Sequence, residues 1–128
     1  MNLTEAEKFC NKWLPAWTGN SPENLVKFYS PDSYYSDPAV KSGLKGHEEI
    51  FPYFKKLLKH NPEWRWYYKE LFPDEKGFIV KWEAVIPVRG INIIEYGMDI
   101  VEIVHDQITR NEVYFDTLNI FKAYRNKE

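Results

Sequence analysis

The chain has one cysteine, Cys10, in 128 residues, so no internal disulfide can form and packing alone must hold the fold. Such sparing use of cysteine suits a reducing compartment, and the expected location is cytoplasmic. No apolar run approaches the roughly 20 residues that a membrane span needs, so no membrane partner is expected. The opening segment carries Glu5 and Glu7 where a secretion signal would carry basic and then apolar residues. Neither sign of charge dominates: 17 Lys and Arg against 19 Asp and Glu leave a formal net charge of −2. That balance offers no surface for neutralising phosphates, so nucleic acid is not an expected partner. The one mixed basic and aromatic run, Trp64-Arg65-Trp66-Tyr67-Tyr68-Lys69, is explained by ordinary strand alternation. His47, His60 and His105 stand far apart, and no glycine-rich phosphate loop is present. Metal, Ser-His-Asp and nucleotide chemistry therefore have no motif to rest on, and neither metal nor cofactor is expected. Repeats and low-complexity tracts are absent too, and the length fits one domain, residues 1–128, around one core.

What the chain does have is aromatic surface. Five Trp, nine Tyr and eight Phe make up 17% of it. That much flat surface either forms a ring-walled pocket, the usual lining of a small-molecule site, or an aromatic packed core. Both readings are open from composition alone.

Helical signals fill the first half. Thr4 and Glu7 have capping-box spacing, and Phe9, Trp13 and Trp17 follow at helical intervals. Pro15 predicts a kink near Lys12–Trp13, and Gly19 a stop. Ser21-Pro22 opens a second helix running to about Tyr29, and residues 33–37 read as a short strand. A third helix spans His47 to His60, with Ile50, Phe54, Leu57 and Leu58 on one face and Pro52 as an unexplained interruption. Four long strands follow at 63–72, 78–88, 91–104 and 108–118, with breaks short enough for antiparallel hairpins. Helices first and a meander after them predict an α+β fold, three helices packed in a strongly curved antiparallel sheet that forms a cone.

Two carboxylates stand out. Asp37 precedes Pro38, which biases it towards extended backbone at the end of a strand. It is either a turn residue or an acid aimed into a cavity. Asp99 shares its strand face with Gly97, Val101 and Ile103, an acid on an apolar row. An unpaired carboxyl there is costly, so Asp99 is either bonded to a Trp or Tyr hydrogen or held ready for a ligand. Alternation also aims Trp66, Trp82, Asn111, Val113 and Phe115 inward, and leaves Met98, Ile100 and Tyr114 on an apolar outer face. Such a face predicts a homodimer through the sheet. Cys10 has no activating partner in sequence and reads as helix packing.

Taken together, Trp13 and Trp17, Tyr35-Ser36-Asp37-Pro38, Gly43 to Ile50, Gly97 to Glu102 and Ile108 to Asp116 resemble the nuclear transport factor two-like superfamily, in its SnoaL-like branch. Its members include ketosteroid isomerase, polyketide cyclases, limonene epoxide hydrolase and non-catalytic binding modules, so the resemblance implies a fold more firmly than a function. By likeness to the isomerase, Asp37 takes the place of the proton-shuttling base and Asp99 that of a neutral hydrogen-bond donor. The tyrosine that completes that site is replaced here by Trp13, an indole donor able to assist Asp99. Small apolar ligands would then meet Trp17, Tyr35, Phe54, Trp66, Trp82, Val101, Asn111, Val113 and Phe115. By likeness to the epoxide hydrolase, Tyr114-Phe115-Asp116 implies hydration chemistry on Asp116, with Lys81 and Glu83 as distant echoes of its partners. A non-catalytic ligand-binding or assembly module is the third implication.

Overall fold

A computed structural model describes residues 1–125. Helix α1 (Leu3–Trp13) buries Ala6, Cys10 and Trp13, one face at helical spacing. Its start is capped by Asn2, whose side chain accepts from Glu5 N while Glu5 accepts from Asn2 N. The reciprocal pair is thus Asn2 and Glu5 in place of the expected Thr4 and Glu7, because the chain turns helical one residue before Thr4. Pro15 makes no kink. The α-helix ends at Trp13 and the chain tightens into a 3₁₀ turn (Leu14–Trp17) around the proline, which has no N–H to extend the ladder. Helix α2 (Pro22–Val26) is shorter than its sequence suggests, since Tyr29 already belongs to strand β1 (Tyr29–Ser36). After the two-residue strand β2 (Leu44–Lys45) comes helix α3 (Gly46–His60). Pro52 lies on its exposed side, where water can take the carbonyl that proline leaves unbonded.

The remaining strands are β3 (Arg65–Pro73), β4 (Gly77–Val88), β5 (Ile91–Val104) and β6 (Gln107–Phe115). They form one curved, unclosed sheet with the order β2-β1-β6-β5-β4-β3. Every pairing is antiparallel except that of β1 with β6, which is parallel. The expected α+β cone is the fold observed. Its last strand ends at Phe115, three residues before the expected limit, and the chain turns into helix α4 (Leu118–Arg125). Asp116 makes that turn by accepting from Leu118 N at 2.9 Å. Among the described residues, no helix is long and apolar enough to cross a membrane.

Strand alternation sorts the sheet faces as expected. Phe78, Val80, Trp82, Ala84 and Ile86 are all buried on the concave face. The convex face exposes Tyr67, Tyr96, Met98 and Tyr114. Phe54, buried behind the concave surface, meets Trp17, Tyr29 and Tyr35 edge to face, each with ring centroids 5.1 Å apart. Contacts of this kind add about 0.5–1.5 kcal/mol each beyond area burial, so one phenylalanine ties α3 to β1 and the 3₁₀ turn.

Gly97 is needed for room. A Cβ there would lie 2.4 Å from Trp82 Cζ2 and 2.8 Å from Phe115 Cβ. Gly97→Ala is expected to push Trp82 off its seat and to cost about 1–3 kcal/mol in urea denaturation, the usual price of overpacking. A loss below about 0.5 kcal/mol, the range of a neutral surface change, would show that Trp82 does not occupy that space.

Candidate functional site

The cone encloses a cavity of about 210 Å³ between α3, the concave sheet and α4. Aromatic rings supply much of its wall, Trp17, Tyr35, Trp66, Trp82 and Phe115 among them, all expected there together with Val113. Both singled-out acids, Asp37 and Asp99, reach this same cavity. Four other expected contacts do not line it. Trp13 and Val101 are buried in the core, Phe54 stands behind Trp17 and Tyr35, and Asn111 reaches the site only through Asp99.

Asp99 sits on the concave face of β5, 4% exposed. Its Oδ1 accepts from Trp82 Nε1 at 2.8 Å and its Oδ2 from Asn111 Nδ2 at 3.0 Å. Behind Asn111 the chain of bonds continues. Asn111 Oδ1 accepts from the Tyr29 hydroxyl at 2.7 Å, and that hydroxyl accepts from Trp13 Nε1 at 3.3 Å. Trp13 is therefore no direct partner of Asp99. It is two residues removed and lies outside the cavity, because Tyr29 and Asn111 fill the space between. The donor next to Asp99 is Trp82, which alternation had placed on the right face without revealing its bond.

Burial pushes the Asp99 carboxyl up from 3.8 to about 7, against the opposing pull of its bonds from Asn111 and Trp82. The direction makes physical sense. Two bonds to a charged acceptor return about 1.5–3 kcal/mol each, less than full desolvation of a carboxylate costs. At neutral pH, Asp99 is thus an acid near its midpoint, able to offer a proton to the cavity.

Asp37 is held differently. Its Oδ2 accepts from the Tyr35 hydroxyl at 2.8 Å and the Tyr53 hydroxyl at 2.6 Å. Its Oδ1 accepts from Ala39 N at 2.8 Å and Val40 N at 3.1 Å, the turn that Asp-Pro predicted. Turn residue and cavity acid are one and the same. Burial and the adjacent carboxylate raise both tyrosines, so they remain protonated donors.

Tyr53 escaped the sequence reading, although it stands four residues before Leu57, which also lines the cavity. Thr117, Ile120 and Phe121 escaped it too, since they come from α4 and its lead-in. Asp116, by contrast, is exposed, turns the chain into α4 and does not reach the cavity. Lys81 and Glu83 pair outside with Glu70 and Lys69. The arrangement that hydration chemistry on Asp116 would need is therefore not assembled. Burial pushes the Cys10 thiol up to about 12, which leaves it inert. Among the described residues, no group of three His, Cys, Asp or Glu side chains is placed to hold a metal ion.

The family model of the SnoaL-like domain matches residues 10–111. No curated protein matches the sequence at a significant level. Solved structures do resemble it. A candidate SnoaL-like polyketide cyclase from Shewanella putrefaciens superposes with a TM-score of 0.79 at 12% identity, covering 96% of this chain and 87% of its own. A protein from Catenulispora acidiphila with a ketosteroid isomerase-like fold, in complex with trimethylamine, gives 0.74 at 16% identity over 85% of both chains. TerC, co-crystallised with polyporic acid, gives 0.74 at 16% identity over 94% of this chain and 98% of its own. At these identities the likeness establishes the fold.

The Asp99 assignment has a thermodynamic consequence. Below about pH 4 both folded and unfolded chains hold its proton. Between 3.8 and about 7 only the native state does, so stability falls as pH rises through that window and is level above it. Denaturant titrations from pH 4 to 8 should show this slope in the wild type and a flatter one in Asp99→Asn. An unchanged slope in the variant would mean that Asp99 does not carry the proton.

Proposed function

This chain belongs to the SnoaL-like domain family, and on that premise we propose that its cavity binds a small, flat, largely apolar molecule with an oxygen function placed against Asp99. The observation that carries the reading is a protonatable acid reaching a cavity lined largely by aromatic and aliphatic side chains. Such a group is wasted on an apolar wall but suits an oxygen that gains negative charge during reaction. The reaction class is cofactor-free proton transfer, of the isomerase or cyclase kind. Asp37 would remove a proton from a carbon next to a carbonyl, and the neutral Asp99 would donate a hydrogen bond to the resulting enolate oxygen. Asp37 would then return the proton to the product. Tyr35 and Tyr53 would fix the base in place.

One observation favours a second reading, a ligand-binding module without turnover. Asp37 already accepts four hydrogen bonds, leaving little of its carboxylate free to attack a proton. 2-Tetralone, a flat bicyclic ketone with exchangeable hydrogens beside its carbonyl, separates the two. If Asp37 is a base, the protein should speed deuterium uptake from D₂O, and Asp37→Asn should slow it by about 100-fold or more without loss of saturable tryptophan quenching. Quenching with exchange no faster than buffer would leave the binding module; no quenching would remove both readings.

We also propose a two-fold homodimer through the convex face, where Tyr67, Tyr96, Met98 and Tyr114 are exposed together. Sedimentation at micromolar concentration should give twice the 15.3 kDa chain mass, and Tyr96→Glu with Tyr114→Glu should return the monomer. A monomeric wild type would end this proposal.

A further inference from the structure

Among the described residues, those that line the cavity include two carboxyl groups, Asp37 and Asp99, and no Lys, Arg or His. The four groups that bond Asp37 are two tyrosine hydroxyls and two backbone N–H groups, all neutral. Asp99 is bonded by an indole and an amide, neutral as well. The ion pairs of Lys69, Lys81 and Arg110 go to other carboxylates. Buried acids are ordinarily matched by a cation, and the cavity wall offers none. The rings between the two acids, moreover, are continuous. Tyr53 meets Tyr35 with centroids 5.9 Å apart, and Tyr35 meets Trp17 at 6.0 Å. Trp17 meets Trp66 at 6.5 Å, and Trp66 meets Trp82 at 4.9 Å. All five line the cavity. Tyr53 and Tyr35 donate to Asp37 at one end of this arc, and Trp82 donates to Asp99 at the other.

We infer that the ligand of this cavity is a cation, a small aromatic molecule bearing an alkylated ammonium group, held against the ring arc with Asp37 as its counter-ion. Ring faces are negative and attract cations, and quaternary ammonium groups are the cations that cages of rings commonly hold. Such a group carries charge without N–H donors that would need acceptors, and the arc offers few. The two acids repel anionic ligands by the same logic. This inference rests on the reading of the cavity as a ligand site and narrows that ligand's class by its charge. It also gives Asp37 a task that its four bonds do not hinder. Attraction between opposite charges needs no free lone pair, whereas removal of a proton does.

Phenyltrimethylammonium and tert-butylbenzene share one shape and differ in a single atom, a charged nitrogen against a neutral carbon. Tryptophan quenching titrations of the wild type with each, at pH 7, test the inference. An ordinary apolar cavity must favour the neutral isostere strongly, because the cation gives up its hydration on entry. Here the cation should bind at least as tightly. Asp37→Asn should weaken it about tenfold or more and leave the affinity for tert-butylbenzene unchanged. A wild type that prefers tert-butylbenzene, or a cation affinity that Asp37→Asn leaves in place, would overturn the assignment. Loss of both ligands in the variant would mean that it no longer forms the cavity, and the wild-type comparison then decides alone. If neither isostere binds while 2-tetralone quenches, the charge assignment fails and the cavity reading stands. Failure of all three compounds to bind removes both.

Discussion

The hydrogen-bonded line from Trp13 through Tyr29 and Asn111 to Asp99, met from the other side by Trp82, is the constraint on which the rest of the structure turns. It crosses α1, β1, β6, β5 and β4 in five residues. Each member is buried, and each bond in the line points its donor towards the carboxyl. In a low-dielectric interior such a line is valuable when complete and costly when broken, because every member left behind would be a buried polar group without a partner. It also explains how an acid can live on an apolar strand. Burial removes the incentive to ionise, and the two bonds keep the group oriented whichever form it takes.

Around that line the aromatic residues divide into two populations. Phe54, Trp13 and Phe78 are mortar, fully buried and in contact with other rings. Trp17 and Tyr35 are wall, with one side against Phe54 and the other on the cavity, and Trp66 and Phe115 extend that wall against Trp17 and Trp82. The two compositional readings, aromatic core and ring-lined pocket, were thus not rivals. Two layers of rings are needed where a small protein must both fill its centre and leave part of it open, since a wall with nothing rigid behind it would collapse inward.

How much of this could be read from the chain depended on whether a local pattern was enough. Asp99 was legible because period-two alternation fixes a face without any tertiary knowledge, and Asp37 because the following proline fixes its backbone. Facing did not reveal partners. Trp13 looked like a second donor beside Asp99 on the strength of resemblance, whereas its N–H goes to Tyr29, a residue that the sequence had placed at the end of a helix. Tyr53 and the α4 residues were out of reach for a related reason: their contribution depends on how α3 and α4 lie over the sheet.

The parallel pairing of β1 with β6 bears on how the molecule comes into being. Tyr29 and Asn111 are 82 residues apart, and the loop between them contains α3 and four of the sheet's strands. During synthesis β1 leaves the ribosome long before its neighbour exists, with Tyr29 and Tyr35 unable to bury their rings against anything that endures. Closing so large a loop is entropically slow, and contacts of such separation are rewarded only late. The β3 to β6 hairpins can form on their own schedule, because each strand follows directly on its partner. The nascent amino-terminal half must therefore wait as loosely held helices and an unmatched strand edge, a form open to association with other chains until β6 arrives.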